Sequence, residues 1–418
     1  MLPANVIAEN EDLLTRILVH LPAESLIRFR SVSKTWLSII SDPNFRRCLR
    51  RHTGAYFLVR PGQRRGEPEL NFVSVGEGYV NSMNNIVSNL GKSFGVHRIQ
   101  GFHSCNGLVV LALDINAGES LNFVVYNPTT RRRRLIPDYF VDDSLDSTDT
   151  DSETDDPFSP LSSPDPTHFY ALNIAFDPLQ SDDYELVYVF DDGNERIRFA
   201  SYTSETGLWT NSKWYLDQER EGYSVIWFEK GVFWNGGMFW VGSCWDVYYF
   251  DFETNDGECI IPSFPQGRSF EEREDDFMCR DVLFFGVSGE NLCLIVLMDL
   301  RPLRFEVYNF ELEYSRWTLM HGVRFSALTG LYPSMLVKAF HPCFPHDWHC
   351  SFSFLSFLVD EEQKQSQWLI SVPGKIISCN THPMTVKEVA DVVTENFGKV
   401  RIYEWRETFE HVETFASV

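Results

Sequence analysis

The chain has 418 residues, 44% hydrophobic and 23% charged, enough for two or more packing units of a globular protein. Its net charge is −23; residues 1–53 carry a surplus of three positive charges, which leaves −26 on the remainder. So acidic a body repels phosphate backbones and anionic lipid, which excludes general nucleic-acid and membrane-surface binding. The start, MLPANVIAENED, has no basic and apolar leader pattern, and the longest apolar run, Leu292–Met298, is too short to span a bilayer. Nine dispersed Cys with no CxxC pair read as reduced thiols, so an intracellular setting, cytoplasm or nucleus, is expected.

Three short helices open the chain. Asn10 is placed to cap a helix whose first turn carries Glu11 and Asp12, and Leu14, Ile17, Leu18 and Leu21 make its apolar stripe before Pro22 stops it. Leu26 and Phe29 mark a second helix; Trp36, Leu37 and Ile40 mark a third, ended by Asp42-Pro43 because the residue before proline avoids the α region. Fewer than fifty residues bury little surface. Two readings stay open: a bundle docked on the rest of the chain, or a plug that completes itself on a partner.

These residues resemble the plant F-box motif: Glu11 to Pro22, then Ser25 to Trp36, then Ile40 to Phe45, with Glu9-Asn10 where the motif usually has Leu-Pro and Ser31 where it usually has Cys. The resemblance implies docking on the Skp-type adaptor of a cullin–RING ubiquitin ligase. It implies an adaptor-facing set of Leu14, Ile17, Leu18, Leu21, Pro22, Leu26, Val32, Trp36 and Leu37.

From about residue 54 short apolar runs bounded by Gly, Asn, Asp and Pro replace the helical period. Of the 11 Trp, only Trp36 precedes position 209, and aromatics make up 15% of the chain, a bias that favours β structure. A unit recurs in which an aromatic is followed four residues later by Thr: Tyr126–Thr130, Tyr202–Thr206 and Phe250–Thr254, with looser copies at Tyr308 and Tyr403. Residues 141–167 form an acidic Ser/Thr/Pro tract whose composition predicts disorder. Once its 27 residues are set aside, the repeat is close to fifty residues, the length of a propeller blade. The expected architecture is mixed but mainly β: a helical module over 1–53, then a β-propeller-like domain over 54–418 of about six blades.

That second region resembles the F-box-associated domain of plant F-box proteins, which is related to kelch propellers. The resemblance rests on Ser104 to Leu108, Tyr126 to Arg131 leading to Leu135-Ile136-Pro137, Phe176 to Pro178 with Asp182 to Tyr184, Gly231 to Gly236, Phe250-Asp251 before Pro262, and Ser315 to Trp317.

Gly91-Lys92-Ser93 has Ile86 where a phosphate loop needs its first glycine, and Gly286-Val287-Ser288-Gly289 is not a nucleophile elbow. Asn106-Gly107 and Asn235-Gly236 read as tight hairpin turns. His341, Cys343, His346, His349 and Cys350 form a metal-like cluster whose spacing matches no standard finger, and Arg131–Arg134 reads as a solvated strand edge. No catalytic set, cofactor or metal site is expected. The sequence thus predicts a non-catalytic substrate receptor of an SCF-type ligase, tied by the adaptor to a cullin scaffold and holding an unknown protein target, a basic one on charge grounds. The rival readings are a propeller-based small-ligand sensor or enzyme, and an F-box-like scaffold acting outside a ligase.

Overall fold

The structure, a computed structural model, describes residues 10–21, 23–42, 45, 55–60, 69–74, 98–114, 121–139, 168–193, 195–217, 226–263, 282–300, 303–338, 348–350, 352–360, 365–381, 384–391 and 407–418. The acidic tract and Tyr403 lie outside these residues.

Three helices come first, α1 (Glu11–Leu18), α2 (Ala23–Phe29) and α3 (Lys34–Ser41). Their ends follow local chemistry. The Asn10 side chain accepts from the Leu13 amide at 3.1 Å and Ser33 Oγ accepts from the Trp36 amide at 3.1 Å, so two helix starts have capped donors. Asp42, ahead of Pro43, is extended at ψ 130° and ends α3.

The strands follow as β1 (Ala55–Arg60), β2 (Glu69–Ser74), β3 (Arg98–Cys105), β4 (Leu108–Asp114), β5 (Leu121–Asn127), β6 (Arg132–Leu135), β7 (Phe169–Ala175), β8 (Glu185–Asp191), β9 (Arg196–Thr203) and β10 (Leu208–Asp217). Next come β11 (Val232–Trp234), β12 (Gly237–Val241), β13 (Val247–Asp251), β14 (Asp256–Ile260), β15 (Val282–Ser288), β16 (Asn291–Leu300), β17 (Leu303–Glu311) and β18 (Arg316–Arg324). After a short helix α4 (Ser326–Leu331) come β19 (Leu336–Lys338), β20 (Trp348–Cys350), β21 (Ser353–Asp360), β22 (Gln365–Val372), β23 (Lys375–Thr381), β24 (Met384–Asp391) and β25 (Glu407–His411).

Five four-stranded antiparallel meanders result: β3 to β6, β7 to β10, β11 to β14, β15 to β18 and β21 to β24. These are the blades of a β-propeller, and among the described residues there are five of them, not about six. The remaining strands form a three-stranded sheet ordered β2-β1-β25 and a pair β19-β20. Dividing the whole length after residue 54 by the repeat gives too many blades, because β1, β2, β19, β20 and β25 belong to none of the five.

Inner blade strands read as continuous apolar runs because both faces are covered, whereas the fourth strands are largely exposed. In β4 all seven residues are buried. In β16 the two-residue alternation sends Leu292, Leu294 and Val296 into a core shared with the third blade, and Ile295 and Leu297 into a core shared with the fifth. Buried indoles find acceptors: Trp240 Nε1 donates to the Phe228 carbonyl at 2.9 Å and Trp317 Nε1 to the Trp245 carbonyl at 3.2 Å.

The recurring aromatic unit is the hairpin between the third and fourth strands of a blade. Tyr126, Tyr202, Phe250 and Tyr308 are buried near the ends of β5, β9, β13 and β17. The following turns end in a left-handed residue, Arg131 (φ 60°), Gly207 (φ 73°), Asn255 (φ 54°) and Ser315 (φ 46°), which returns the chain to the fourth strand. The two-residue turns Asn106-Gly107 and Asn235-Gly236 hold positive φ at both positions, the geometry that joins twisted antiparallel strands.

The chain divides into two compact units. One contains residues 1–53, 82–218 and 411–418, hence the helices and the first two blades; the other contains 54–81 and 219–410, hence the last three blades.

Candidate functional site

The helical module is built around a small core. Leu14 and Leu18 lie one turn apart on α1, and with Leu26, Ile40 and Phe45 they bury their side chains together with Phe415, a residue from the far end of the sequence. Trp36 is half-buried with its ring edge-on to Phe29 at 5.2 Å, and Leu21 is half-buried beside the same cluster. Arg30 donates to Ser41 Oγ at 3.2 Å, which links α2 to α3, and its guanidinium lies 6.0 Å from the Phe415 ring centroid.

The inner set leaves an outer set uncovered. Ile17 is 46% exposed, Val32 58% and Leu37 44%. Leu13, which the sequence reading did not single out, is 40% exposed and one turn before Ile17 on the same helix face. Helical periodicity groups Leu14, Ile17, Leu18 and Leu21 in one stripe; the fold divides that stripe, turning Leu14 and Leu18 inward and Ile17 outward. Pro22 lies outside the described residues. Four large apolar side chains, Leu13, Ile17, Val32 and Leu37, are thus exposed on this small unit.

The other candidates separate as follows. Ser288 is buried at the end of β15, one residue before Gly289 at φ 61°, so it belongs to a hairpin. Arg132 to Arg134 lie on β6, which among the described residues pairs only with β5 and so forms a blade edge, where positive charge opposes pairing with a foreign strand. Gly91-Lys92-Ser93 and His341, Cys343 and His346 lie outside the described residues. His349 and Cys350 fall on β20. Among the described residues no three His, Cys, Asp or Glu side chains gather as a metal site, and no helix is long and apolar enough to cross a membrane. Cys293 and Cys379 are buried, which pushes both thiols up to about 12 and leaves them poor nucleophiles.

Residues 10–48 match the F-box domain. Over 99% of its length the chain is 26% identical to an F-box protein of Arabidopsis thaliana, covering 94% of that protein. It is 26% identical to a putative F-box protein of the same plant over 67% of each chain. Among solved structures, the β-propeller domain of the Trilobed protease from Pyrococcus furiosus aligns at a TM-score of 0.33 and 10% identity, covering 70% of this chain and 85% of that one, too distant to bear on function.

Proposed function

We propose that this protein is the substrate-recognition subunit of an SCF-type cullin–RING ubiquitin ligase. The helical module binds the Skp-type adaptor, and through it the cullin scaffold, while the blades hold a protein target. The observation that carries this reading is the F-box match over residues 10–48 on a module that keeps Leu13, Ile17, Val32 and Leu37 exposed. Of the nine residues named from sequence, Ile17, Val32 and Leu37, with Leu21 and Trp36 at their margin, supply the contact surface; Leu14, Leu18 and Leu26 hold the helices in place. Pro22, beyond the described residues, is assigned to the contact by the family resemblance alone.

The role is non-catalytic. Holding a target lysine near the charged ubiquitin carrier raises its effective concentration, and proximity needs no reacting group on this chain. We assign the blades to the F-box-associated, kelch-related type and the protein to the cell interior, cytoplasm or nucleus. Its charge of −23 favours a target with a basic surface.

Co-purification of the full chain with the Skp-type adaptor tests the reading. The natural chain is expected to bind in equal proportion, and Leu37→Glu, which changes an exposed position without opening a cavity, is expected to abolish binding while the fold persists. A well-folded natural chain that ignores the adaptor would sink the ligase role.

A further inference from the structure

The segment that follows β25, residues 412–418, runs between the helical module and the first two blades, all within one compact unit. Neighbouring side chains of the segment enter different cores. Phe415 enters the helical core formed by Leu14, Leu18, Leu26, Ile40 and Phe45. Ala416, turned the other way, is buried in the core of the first two blades, and Val418 packs against that same core.

The backbone of the segment is held by two side chains of the first blade, Asn127 and Thr129. Asn127, at the end of β5 and wholly buried, donates its amide to the carbonyls of Thr414 (3.1 Å) and Ala416 (2.8 Å). Its Oδ1 accepts from the amides of Thr129 (2.9 Å) and Thr130 (3.1 Å), so the residue that shapes the blade turn also fastens the segment. The Thr414 amide donates to Thr129 Oγ1 at 3.2 Å. Close approach is secured at Gly107, where a Cβ would stand 2.1 Å from the Val412 carbonyl oxygen and 2.8 Å from Thr414 Cγ2.

We propose that residues 412–418 are a strap that fixes the orientation of the adaptor-binding module against the first two blades, with Asn127 and Phe415 as its positioning residues. This rests on the ligase reading for its purpose: a receptor that works by proximity needs a fixed geometry between adaptor and target, since slack between them lowers effective concentration. The strap itself rests on the contacts alone.

The test uses the full chain carrying a donor and an acceptor fluorophore on non-canonical residues at the exposed positions 38 and 205, so that its nine cysteines are left untouched. The natural chain is expected to give a single narrow distance peak. Phe415→Ala, which empties the helical core from the strap side, and Gly107→Ala, which crowds the strap and also strains the β3–β4 turn without touching the helices, are each expected to lose it. Phe415→Leu is expected to restore it, and Gly107→Ala is expected to co-purify with the adaptor as the natural chain does. Narrow peaks retained in both Phe415→Ala and Gly107→Ala, whatever happens to melting temperature, would overturn the strap. Absence of adaptor binding by the natural chain would remove the ligase reading and leave the peak loss to stand as evidence for the strap.

Discussion

The helical module and the blades solve the same problem, burying apolar surface, with opposite resources. A blade strand such as β16 has a neighbour on each face and splits its residues between two cores by simple alternation. Among the described residues the helices α1 to α3 share a core with one another, Phe45 and the distant ring of Phe415, and they leave Leu13, Ile17, Val32 and Leu37 exposed. A region closed on both faces is stable by itself and free to vary its loops; a region left open on one face is suited to a partner.

The largest expected effect lies in a blade core. Trp368 is fully buried between the fourth and fifth blades, with ring contacts to Phe305, Phe325, Phe354 and Phe357. Trp368→Ala is expected to cost about 3–5 kcal/mol, read as a lowered denaturant midpoint with an unchanged slope, because a core closed on both faces cannot collapse around the cavity. A loss under about 1 kcal/mol would mean that the blades are packed no better than the module.

Next comes pH, acting on His411 at the end of β25. The side chain is 1% exposed, and burial pushes the imidazole down to about 4. Above the unfolded value of 6.5 both states are neutral at this residue and it contributes no pH dependence. As pH falls from 6.5 toward 4 the unfolded chain takes up a proton that the folded chain refuses, so stability declines over that window, by about 3 kcal/mol in all. His411→Gln is expected to flatten this part of the stability–pH curve. A variant with the same acid slope as the natural chain would show that other groups carry it.

Much of the blade architecture was legible from residues alone, and the reasons are local. Tyr126, Tyr202, Phe250 and Tyr308 recur because the third strand of four blades ends in a buried aromatic before a left-handed turn residue. The fifth blade escaped the pattern because its third strand, β23 (Lys375–Thr381), carries no aromatic residue. The helix caps were legible for the same local reason, Asn10 and Ser33 being short polar side chains in front of apolar periods. What sequence did not carry was long-range: nothing near Phe415 announces a partner among residues 14 to 45, and nothing in the stripe of α1 says which half its own core will claim.

A smaller effect separates the module's local from its tertiary support. Ser33→Ala removes the side-chain acceptor of the Trp36 amide at the start of α3 and is expected to cost about 1 kcal/mol. Faster amide exchange in the first turn of α3, with no change in the blades, would locate the loss in the module.

The smallest effect on stability carries the most about function. Ile17 and Leu18 are neighbours of similar size on one helix, yet Leu18 is fully buried and Ile17 is 46% exposed. If exposure of Ile17 is the mark of a docking face, Ile17→Glu should leave stability within about 0.5 kcal/mol, because a surface change in an isolated chain removes little packing. The same substitution should abolish co-purification with the Skp-type adaptor, because it would bury an unpaired carboxylate against apolar side chains. Unchanged stability with unchanged binding would move the contact off α1 and onto Val32 and Leu37. A large loss of stability would instead mean that the outer side chains serve the module's own core, and that the division between inner and outer residues does not mark the docking surface.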